Sequence, residues 1–314
     1  MPDPRWLRAG REIAAAAVGV SFETFDGWAL DRLAALFDPH TVGANRALWS
    51  RGQPVEFLYF IREGRVQARR PGVAPWTFEG RWFLGGFEGH ADRPAQRDLV
   101  ALTDLDALRI RRQDWLELLE DSFEITRSTV TACATAVAKL DERIPTVERV
   151  PSGASAPRTS DHPLTMIEKI AFLGEVPIAR GPGVQSLADL SSVSAEITLL
   201  RGEGLFAQGA THDHHFLVVE GEVEATRQDP EVRRSYGPGD LVTGAAAIAD
   251  RASDWTARAG TAARLLTIPR ETWFDLMEEH FELVDATLAM LAMEREALLG
   301  ILAVSAGPGG LLLT

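Results

Sequence analysis

Residues 59–68 read YFIREGRVQA, and residues 216–225 read FLVVEGEVEA. The identical pairs, each separated by 157 positions, are Glu63 and Glu220, Gly64 and Gly221, Val66 and Val223, and Ala68 and Ala225. A glycine between two short runs rich in aromatic and β-branched residues is typical of two strands joined by a turn. The return of this pattern at one constant offset indicates that the chain contains a duplicated module.

The match extends on both sides of this stretch. Gly52 pairs with Gly209 at the same offset, and Gly85 pairs with Gly244 at an offset of 159. A long stretch then matches at an offset of 158, pairing Ile110, Arg112, Trp115, Leu118, Glu120, Phe123 and Glu124 with Ile268, Arg270, Trp273, Leu276, Glu278, Phe281 and Glu282. Because the offset changes so little, insertions between the two copies are expected in loops rather than in strands.

Composition limits the classes of function. The net charge of −13 argues against binding to nucleic acid, because nonspecific attraction to phosphate backbones depends on lysine and arginine. The length of 314 residues favours two domains of ordinary size. Cys133 is the only cysteine, so no intrachain disulfide can form, and we expect a cytoplasmic protein with Cys133 at least half-buried on a helix. The first apolar stretch, Ile13–Val20, is too short to span a bilayer, so no membrane insertion is expected.

The periodic segments and the breaks between them predict the domain plan. The predicted parts are an N-terminal helical arm (1–23), a first module (24–144), a linker (145–163), a second module (164–303) and a C-terminal tail (304–314). Each module is predicted to begin with a helix, over Thr24–Phe37 in the first and Val184–Leu190 in the second. Short strands with glycine turns follow, and amphipathic helices continue to about Leu140 and about Leu302. The predicted fold class is mainly β with flanking α-helices.

The strand and turn residues resemble those of the cyclic-nucleotide-binding domain family. Trp49–Gly52 followed by Phe57–Val66 looks like the strand, turn and strand with which those domains open. Phe206–Gly209 followed by Phe216–Val223 resembles the same segment, and Gly239–Val242 resembles the approach to the family's phosphate-binding cassette. The resemblance implies two tandem cyclic-nucleotide-binding-like β-rolls of the jelly-roll type and a regulatory role in signal transduction.

The first cassette departs from the family's pattern. In the family, a glycine precedes a glutamate that binds the ribose, and a short helix and an arginine then hold the cyclic phosphate. Alignment without gaps, starting from Gly85, places Gly86 at the glutamate position and Ala95 at the arginine position. Glu88 and Arg97 lie two residues further along, so a shifted loop could still supply both groups.

The second cassette departs further. Gly244 is followed by Ala245–Ala247, which offer no carboxylate and favour a packed helix over a ribose-binding loop. Arg251 and Arg258 are the only arginines nearby, and Ser253 lies between them. We therefore expect two degenerate cassettes in a non-catalytic regulatory or scaffolding protein without a cofactor. The alternative is a functional receptor for cAMP or cGMP.

A histidine cluster suggests a second alternative, a cupin-like metal-dependent enzyme. Residues 212–215 read HDHH, and Glu220 follows on the same predicted strand. A cupin would need another histidine after the Pro238–Gly239 turn, but none occurs before His280. The favoured interpretation is therefore a solvated turn without metal. The signature motifs of P-loop kinases and of serine and zinc hydrolases are also absent from the sequence, so catalytic residues are not expected.

The C-terminal region carries the predictions about partners. Apolar residues at helical spacing, namely Val284, Leu288, Leu291, Leu298 and Ile301 or Leu302, predict a helix that binds a protein partner or a second copy of the chain, with packing on its own roll as an equal alternative. This helix is expected to end near Ser305, leaving no room for a DNA-reading domain. The Leu311–Leu313 tail is expected to be frayed, as chain ends usually are.

Overall fold

The computed structural model describes residues 35–87, 94–144, 162–179, 181–211, 213–228, 231–242, 244–306 and 310–313. The chain divides into two compact units, and neither unit is one continuous segment. Unit 1 comprises residues 1–133 together with 291–314, and unit 2 comprises residues 134–290. The modules 24–144 and 164–303, which divide the chain sequentially, remain a prediction.

The described residues of unit 1 form two sheets. Its strands are β1 (Asp38–Val42), β2 (Ala47–Trp49), β3 (Phe57–Glu63), β4 (Arg65–Arg70), β5 (Val73–Glu79), β6 (Trp82–Leu84), β7 (Asp98–Ala101), β8 (Leu105–Arg111) and β16 (Leu311–Leu313). One sheet has the strand order β1-β8-β3-β6, and the other has the order β16-β5-β4-β7-β2. Every pairing among β1 to β8 is antiparallel.

Unit 2 repeats this plan. Its strands are β9 (Ala195–Leu199), β10 (Gly204–Phe206), β11 (His214–Glu220), β12 (Val223–Gln228), β13 (Glu231–Tyr236), β14 (Thr256–Ala259) and β15 (Ala263–Pro269). The strand orders are β11-β15-β9 and β10-β14-β12-β13, and an isolated bridge between Leu217 and Leu241 lies where unit 1 has β6. Each of the strands β1 to β8 thus has a counterpart in unit 2. The fold is mainly β with flanking helices, and the repeat is structural as well as sequential.

The turn between the first two long strands of each unit requires glycine for a steric reason. Gly64 and Gly221 both adopt positive φ, at 111° and 80°. A Cβ atom at Gly221 would lie 2.1 Å from the carbonyl oxygen of Ala262, so the chain approaches too closely there for any side chain.

Two helices close each roll, as the sequence predicts. The α-helices of the described residues are α1 (Arg112–Asp121), α2 (Phe123–Glu142), α3 (Met166–Leu173), α4 (Val184–Val193), α5 (Gly244–Ile248), α6 (Arg270–Glu279) and α7 (Phe281–Ala306). The closing helices are α1 and α2, which follow β8, and α6 and α7, which follow β15. The predicted apolar faces are confirmed, since α1 buries Trp115 and Leu118 and α6 buries Trp273 and Leu276. Cys133 is half-buried on α2, as expected. The C-terminal part of α2 belongs to unit 2, and the C-terminal part of α7 belongs to unit 1.

The prediction of a frayed tail is wrong. Strand β16 pairs in parallel with β5, with Leu311 opposite Trp76 and Leu313 opposite Phe78. Leu311 and Leu313 are buried, whereas Leu312 between them is 53% exposed. Without β16, β5 would present the unpaired backbone groups of a sheet edge, and the alternating leucines cover that edge while burying two side chains.

The apolar residues of α7 are buried within the chain. Val284, Leu288, Leu291, Leu298 and Leu302 are all inaccessible to solvent or nearly so, which favours packing within the protomer over a face that awaits a partner. The N-terminal arm, the Thr24–Phe37 helix up to residue 34, and linker residues 145–161 lie outside the described residues. Within the described ranges, no helix combines the length and apolarity that a membrane span requires.

Candidate functional site

The first cassette begins at the end of β6. Gly85 has a positive φ of 98°, and a Cβ atom there would lie 3.3 Å from Leu58. Gly86 is buried at the glutamate position, and a Cβ atom there would lie 3.0 Å from the Phe83 ring. A glutamate at this position would therefore require Phe83 to move. Glu88, the alternative carboxylate, lies outside the described residues.

The position aligned with the family's arginine is structurally equivalent in the two units. In unit 1, Ala95 accepts a backbone hydrogen bond from Gly52 (2.9 Å) and donates one to Gln53 (2.9 Å). In unit 2, Ser253 accepts from Gly209 (2.7 Å) and donates to Ala210 (2.9 Å). Both residues are buried. The same backbone turn thus carries a methyl group in one copy and a hydroxyl in the other.

The hydroxyl of Ser253 is used within its own turn. It donates to the carbonyl oxygen of Trp255 at 3.0 Å and accepts from the Trp255 backbone N–H at 3.1 Å. The Ser253 side chain therefore stabilises the turn that leads into β14, and it carries no charge that could pair with a phosphate.

Arg97, the shifted candidate in unit 1, is engaged by a carboxylate of α7. Its side-chain Nε and Nη2 donate to Oε1 of Glu296 at 3.2 and 3.0 Å. The guanidinium carbon lies 3.5 Å from the centroid of the Trp76 ring, which gives a cation–π contact. Arg97 is only 7% exposed, and its buried Nη1 has no hydrogen-bond partner among the described residues. The guanidinium is thus held between an indole ring and a carboxylate.

The predicted helix in the second cassette is confirmed. Residues Gly244–Ile248 form α5, in which Ala245 and Ala247 are buried. A Cβ atom at Gly244 would lie 2.3 Å from Cδ2 of Leu241, so the helix packs directly against this residue. Ala245 is the residue that the resemblance aligns with the family's ribose-binding glutamate, and its buried methyl group contributes packing.

The remaining second-cassette arginines lie elsewhere. The Nη2 atom of Arg251 pairs with Oε1 of Glu142 at the end of α2. Arg258 is exposed on β14, opposite Glu224 of β12. The structure therefore does not bring either arginine together with a carboxylate acceptor for the ribose.

Two further arginines of unit 2 were not identified from the sequence. Arg234 is 7% exposed and its Nη1 lies 2.8 Å from Oδ2 of Asp141 near the end of α2. Arg227 donates from Nη1 and Nη2 to the carbonyl oxygens of Glu142 and Ile144, both at 3.1 Å. A signal for Arg234 exists, because the two-residue period of a strand places it on the same face as the buried Val232 and Tyr236 of β13.

The histidine cluster does not converge. His214 and His215 begin β11 and point to opposite faces, since successive strand residues alternate. The Nδ1 atom of His214 lies 2.7 Å from Asp213, and this hydrogen bond lowers the pKa of the Asp213 carboxyl. His215 is buried against the Trp273 ring, so the interpretation as a solvated turn is wrong for this residue. His212 lies outside the described residues, and the part of the chain that the structure describes contains no group of three metal-ligating side chains.

Comparisons with solved structures give low similarity scores. The regulatory domain of Toxoplasma gondii PKA with cAMP is 16% identical over 94% of this chain and 99% of that chain, with a TM-score of 0.37. The regulatory subunit of a cAMP-independent protein kinase A from Trypanosoma cruzi, bound to guanosine, is 15% identical over 98% of this chain and 96% of that chain, with a TM-score of 0.36. The N-terminal domain of a transcriptional regulator from Streptomyces coelicolor A3(2) is 26% identical over 40% of this chain and 91% of that chain, with a TM-score of 0.35.

A comparison of the sequence with protein-family models, in contrast, gives a match. No curated protein matches the chain in a sequence comparison. The family model of the cyclic nucleotide-binding domain matches residues 196–280, which run from β9 to the residue after α6. This match confirms the resemblance noted in the strand and turn residues of the second copy, Phe206–Gly209, Phe216–Val223 and Gly239–Val242.

Proposed function

We propose that the chain is a non-catalytic regulatory or scaffolding protein whose two cyclic-nucleotide-binding-like rolls serve a protein partner, and that neither cassette holds a cyclic phosphate firmly. The observation that carries this proposal is which residue stands at, or next to, the position of the family's arginine in each unit. Ser253 stands there in unit 2, and in unit 1 the nearest arginine, Arg97, is bound to Glu296.

Neither cassette offers an unpaired positive charge at the arginine position. A cyclic phosphate is a monoanion, and its firm binding needs a charge-assisted hydrogen bond from a cation together with N–H donors. In unit 1, a phosphate would have to replace the Glu296 carboxylate, so the affinity for the ligand is reduced by the free energy of the existing pair. In unit 2, Ser253 offers only a neutral hydroxyl that is already used by its own turn.

The ribose side of the cassette supports the same proposal. A carboxylate acceptor would need to stand at Gly86 in unit 1 or at Ala245 in unit 2. A side chain at Gly86 conflicts with Phe83, and Ala245 is buried in α5. A nucleotide would lose its usual acceptor for the ribose hydroxyl in both units.

A functional cAMP or cGMP receptor is the second candidate, and the family match over residues 196–280 favours it. The two candidates differ in what Arg97 and Arg251 do. In a receptor these arginines would bind the ligand, whereas in the proposed protein they bind carboxylates of the chain itself.

Isothermal titration calorimetry with cAMP and cGMP tests the proposal. We expect no binding at micromolar concentrations of either nucleotide, for the unchanged protein and equally for Arg97→Ala and Arg251→Ala. Arg62→Ala is the matched control, because it removes a positive charge that pairs with Asp106 on the strands of unit 1, outside the cassette. Micromolar or tighter binding that is lost in Arg97→Ala or Arg251→Ala but kept in Arg62→Ala would establish the receptor instead.

A further inference from the structure

The two units place a tryptophan and an arginine at exchanged positions. On β5, Trp76 lies opposite Ala68 of β4, and on β13, Arg234 lies opposite Ala225 of β12. Ala68 and Ala225 are counterparts in the repeat. Trp76 and Arg234 therefore occupy the same place in the two sheets.

The neighbouring strand shows the reverse arrangement. Leu99 of β7 and Ala257 of β14 lie opposite the same pair of alanines, which makes them counterparts too. Arg97 precedes Leu99 by two residues, and Trp255 precedes Ala257 by two residues. The place that holds an arginine in unit 1 thus holds a tryptophan in unit 2.

The exchanged residues make the same contact. The guanidinium carbon of Arg97 lies 3.5 Å from the centroid of the Trp76 ring, and that of Arg234 lies 4.3 Å from the centroid of the Trp255 ring. Each guanidinium also binds a helix carboxylate, Glu296 of α7 in unit 1 and Asp141 of α2 in unit 2. Each unit therefore contains a trio of tryptophan, arginine and helix carboxylate.

We propose that these trios are latches, each of which fixes the C-terminal half of one helix to the roll of its own unit through contacts within the protein. The trio of Trp76, Arg97 and Glu296 fixes α7 in unit 1. The trio of Trp255, Arg234 and Asp141 fixes α2 in unit 2.

The chemistry of a buried arginine explains why the helix is held. Burying about nine-tenths of a guanidinium is costly unless its charge is paired, and in both trios the carboxylate supplies that charge although some N–H groups stay without a partner among the described residues. The tryptophan face compensates part of the lost hydration, and the carboxylate compensates more. Moving the helix away would leave the arginine buried without its counter-charge, which makes the undocked state costly.

The two carboxylates, Glu296 and Asp141, do not occupy equivalent positions in the repeat, so duplication of the module alone does not explain the two trios. At the offset of 158 that relates α2 to α7, the counterpart of Asp141 is Leu299, and the counterpart of Glu296 is Ala138. The two units therefore supply the carboxylate from different helix positions, and they supply the arginine from different places in the roll, just before β7 in unit 1 and on β13 in unit 2. The feature common to both units is the contact itself.

Unit 2 holds its helix with a further arginine. Arg227 binds the carbonyl oxygens of Glu142 and Ile144, and its guanidinium carbon lies 5.2 Å from the Trp255 ring centroid. Carbonyl groups at a helix C-terminus have no partner within the helix and attract cations. The latch in unit 2 thus combines a carboxylate contact with a capping contact.

Hydrogen–deuterium exchange of the full chain tests the latch in unit 1. We expect Glu296→Gln to raise the exchange rate of residues 291–313 by about ten- to a hundredfold, because a charged hydrogen bond of the buried Arg97 is lost. The exchange of α6 should not change. Glu120→Gln, an exposed glutamate on α1, is the matched control and should leave residues 291–313 as they are. Asp141→Asn should act in the same way on residues 134–142.

Variants in which Trp76 and Arg97 swap places provide a second, independent test. Trp76→Arg and Arg97→Trp should each raise the exchange of residues 291–313, and the double variant should protect this segment better than either single variant, because it restores the contact between a tryptophan and an arginine at these two positions. If Glu296→Gln behaves like Glu120→Gln, or if the double variant is no better protected than the single variants, the latch is overturned. Neither outcome depends on whether a cassette binds a nucleotide.

Discussion

At the scale of single residues, two repeated glycines differ in why glycine is required, either for a positive φ alone or for a positive φ and a close contact. Gly221 and Gly209 have nearly the same φ, 80° and 81°, and both recur in the first copy as Gly64 and Gly52. Around Gly209 nothing lies within 4 Å of an added Cβ atom, whereas at Gly221 the Ala262 carbonyl oxygen lies 2.1 Å away. Gly209 is required by its backbone conformation alone, and Gly221 is required also by the close approach of Ala262 in the turn before β15.

We expect Gly209→Ala to lower the free energy of unfolding by roughly 1 kcal/mol, the cost of a left-handed conformation for a residue with a side chain. Gly221→Ala should cost roughly 3 kcal/mol, because backbone strain and a steric clash add to that penalty. Urea denaturation followed by circular dichroism measures both variants, and equal losses would contradict the role assigned to the Ala262 contact.

At the scale of elements, β16 shows that three residues can complete a sheet. Its outer leucines are 6% and 5% exposed, and they lie against the inward-facing residues of β5. Gly310 makes this approach possible, since it has a φ of 77° and an added Cβ atom would lie 2.3 Å from the Pro75 carbonyl oxygen.

Substitutions in β16 should follow the alternation of the strand. Leu313→Ala is expected to lower the free energy of unfolding by about 2 to 3 kcal/mol through loss of buried apolar contacts. The neighbouring Leu312→Ala should change it by less than about 0.5 kcal/mol, because this side chain is mostly exposed. Thermal denaturation of the two variants side by side measures the difference, and similar midpoints for both would show that β16 does not contribute its buried face to stability.

At the scale of the whole molecule, the units do not follow the order of the chain. Residues 291–314 belong to unit 1 although they follow unit 2 in sequence, and residues 134–142 of α2 belong to unit 2. Removing the C-terminal residues is therefore expected to destabilise unit 1, although unit 2 directly precedes them in sequence.

Deletion of residues 291–314 should destabilise unit 1. We expect faster hydrogen exchange in β4 and β5, because β5 loses its parallel neighbour and Arg97 loses Glu296, while β11 and β15 of unit 2 serve as the internal control. Faster exchange confined to β11 and β15 would contradict this division of the chain. It would favour instead the sequential modules 24–144 and 164–303.

The features that could be predicted from the sequence are those with a short period or a repeated pattern. Strands β3 and β11 could be predicted from the repeated short apolar runs that end at Gly64 and Gly221, and the closing faces of α1 and α6 from the spacing of apolar residues. The alanine run predicted α5 for the same reason, since helix formation depends on neighbours three and four residues apart.

Only the tertiary structure shows which distant residues meet. Glu296 binds Arg97 across 199 positions of sequence, and Leu311–Leu313 pair with β5 more than 230 positions earlier. Periodicity reports which face of an element is buried, but it contains no information about the partner that covers that face. The repeat pattern therefore determined the two rolls, whereas long-range packing decided that Arg97 binds the chain's own carboxylate and that the tail forms a strand.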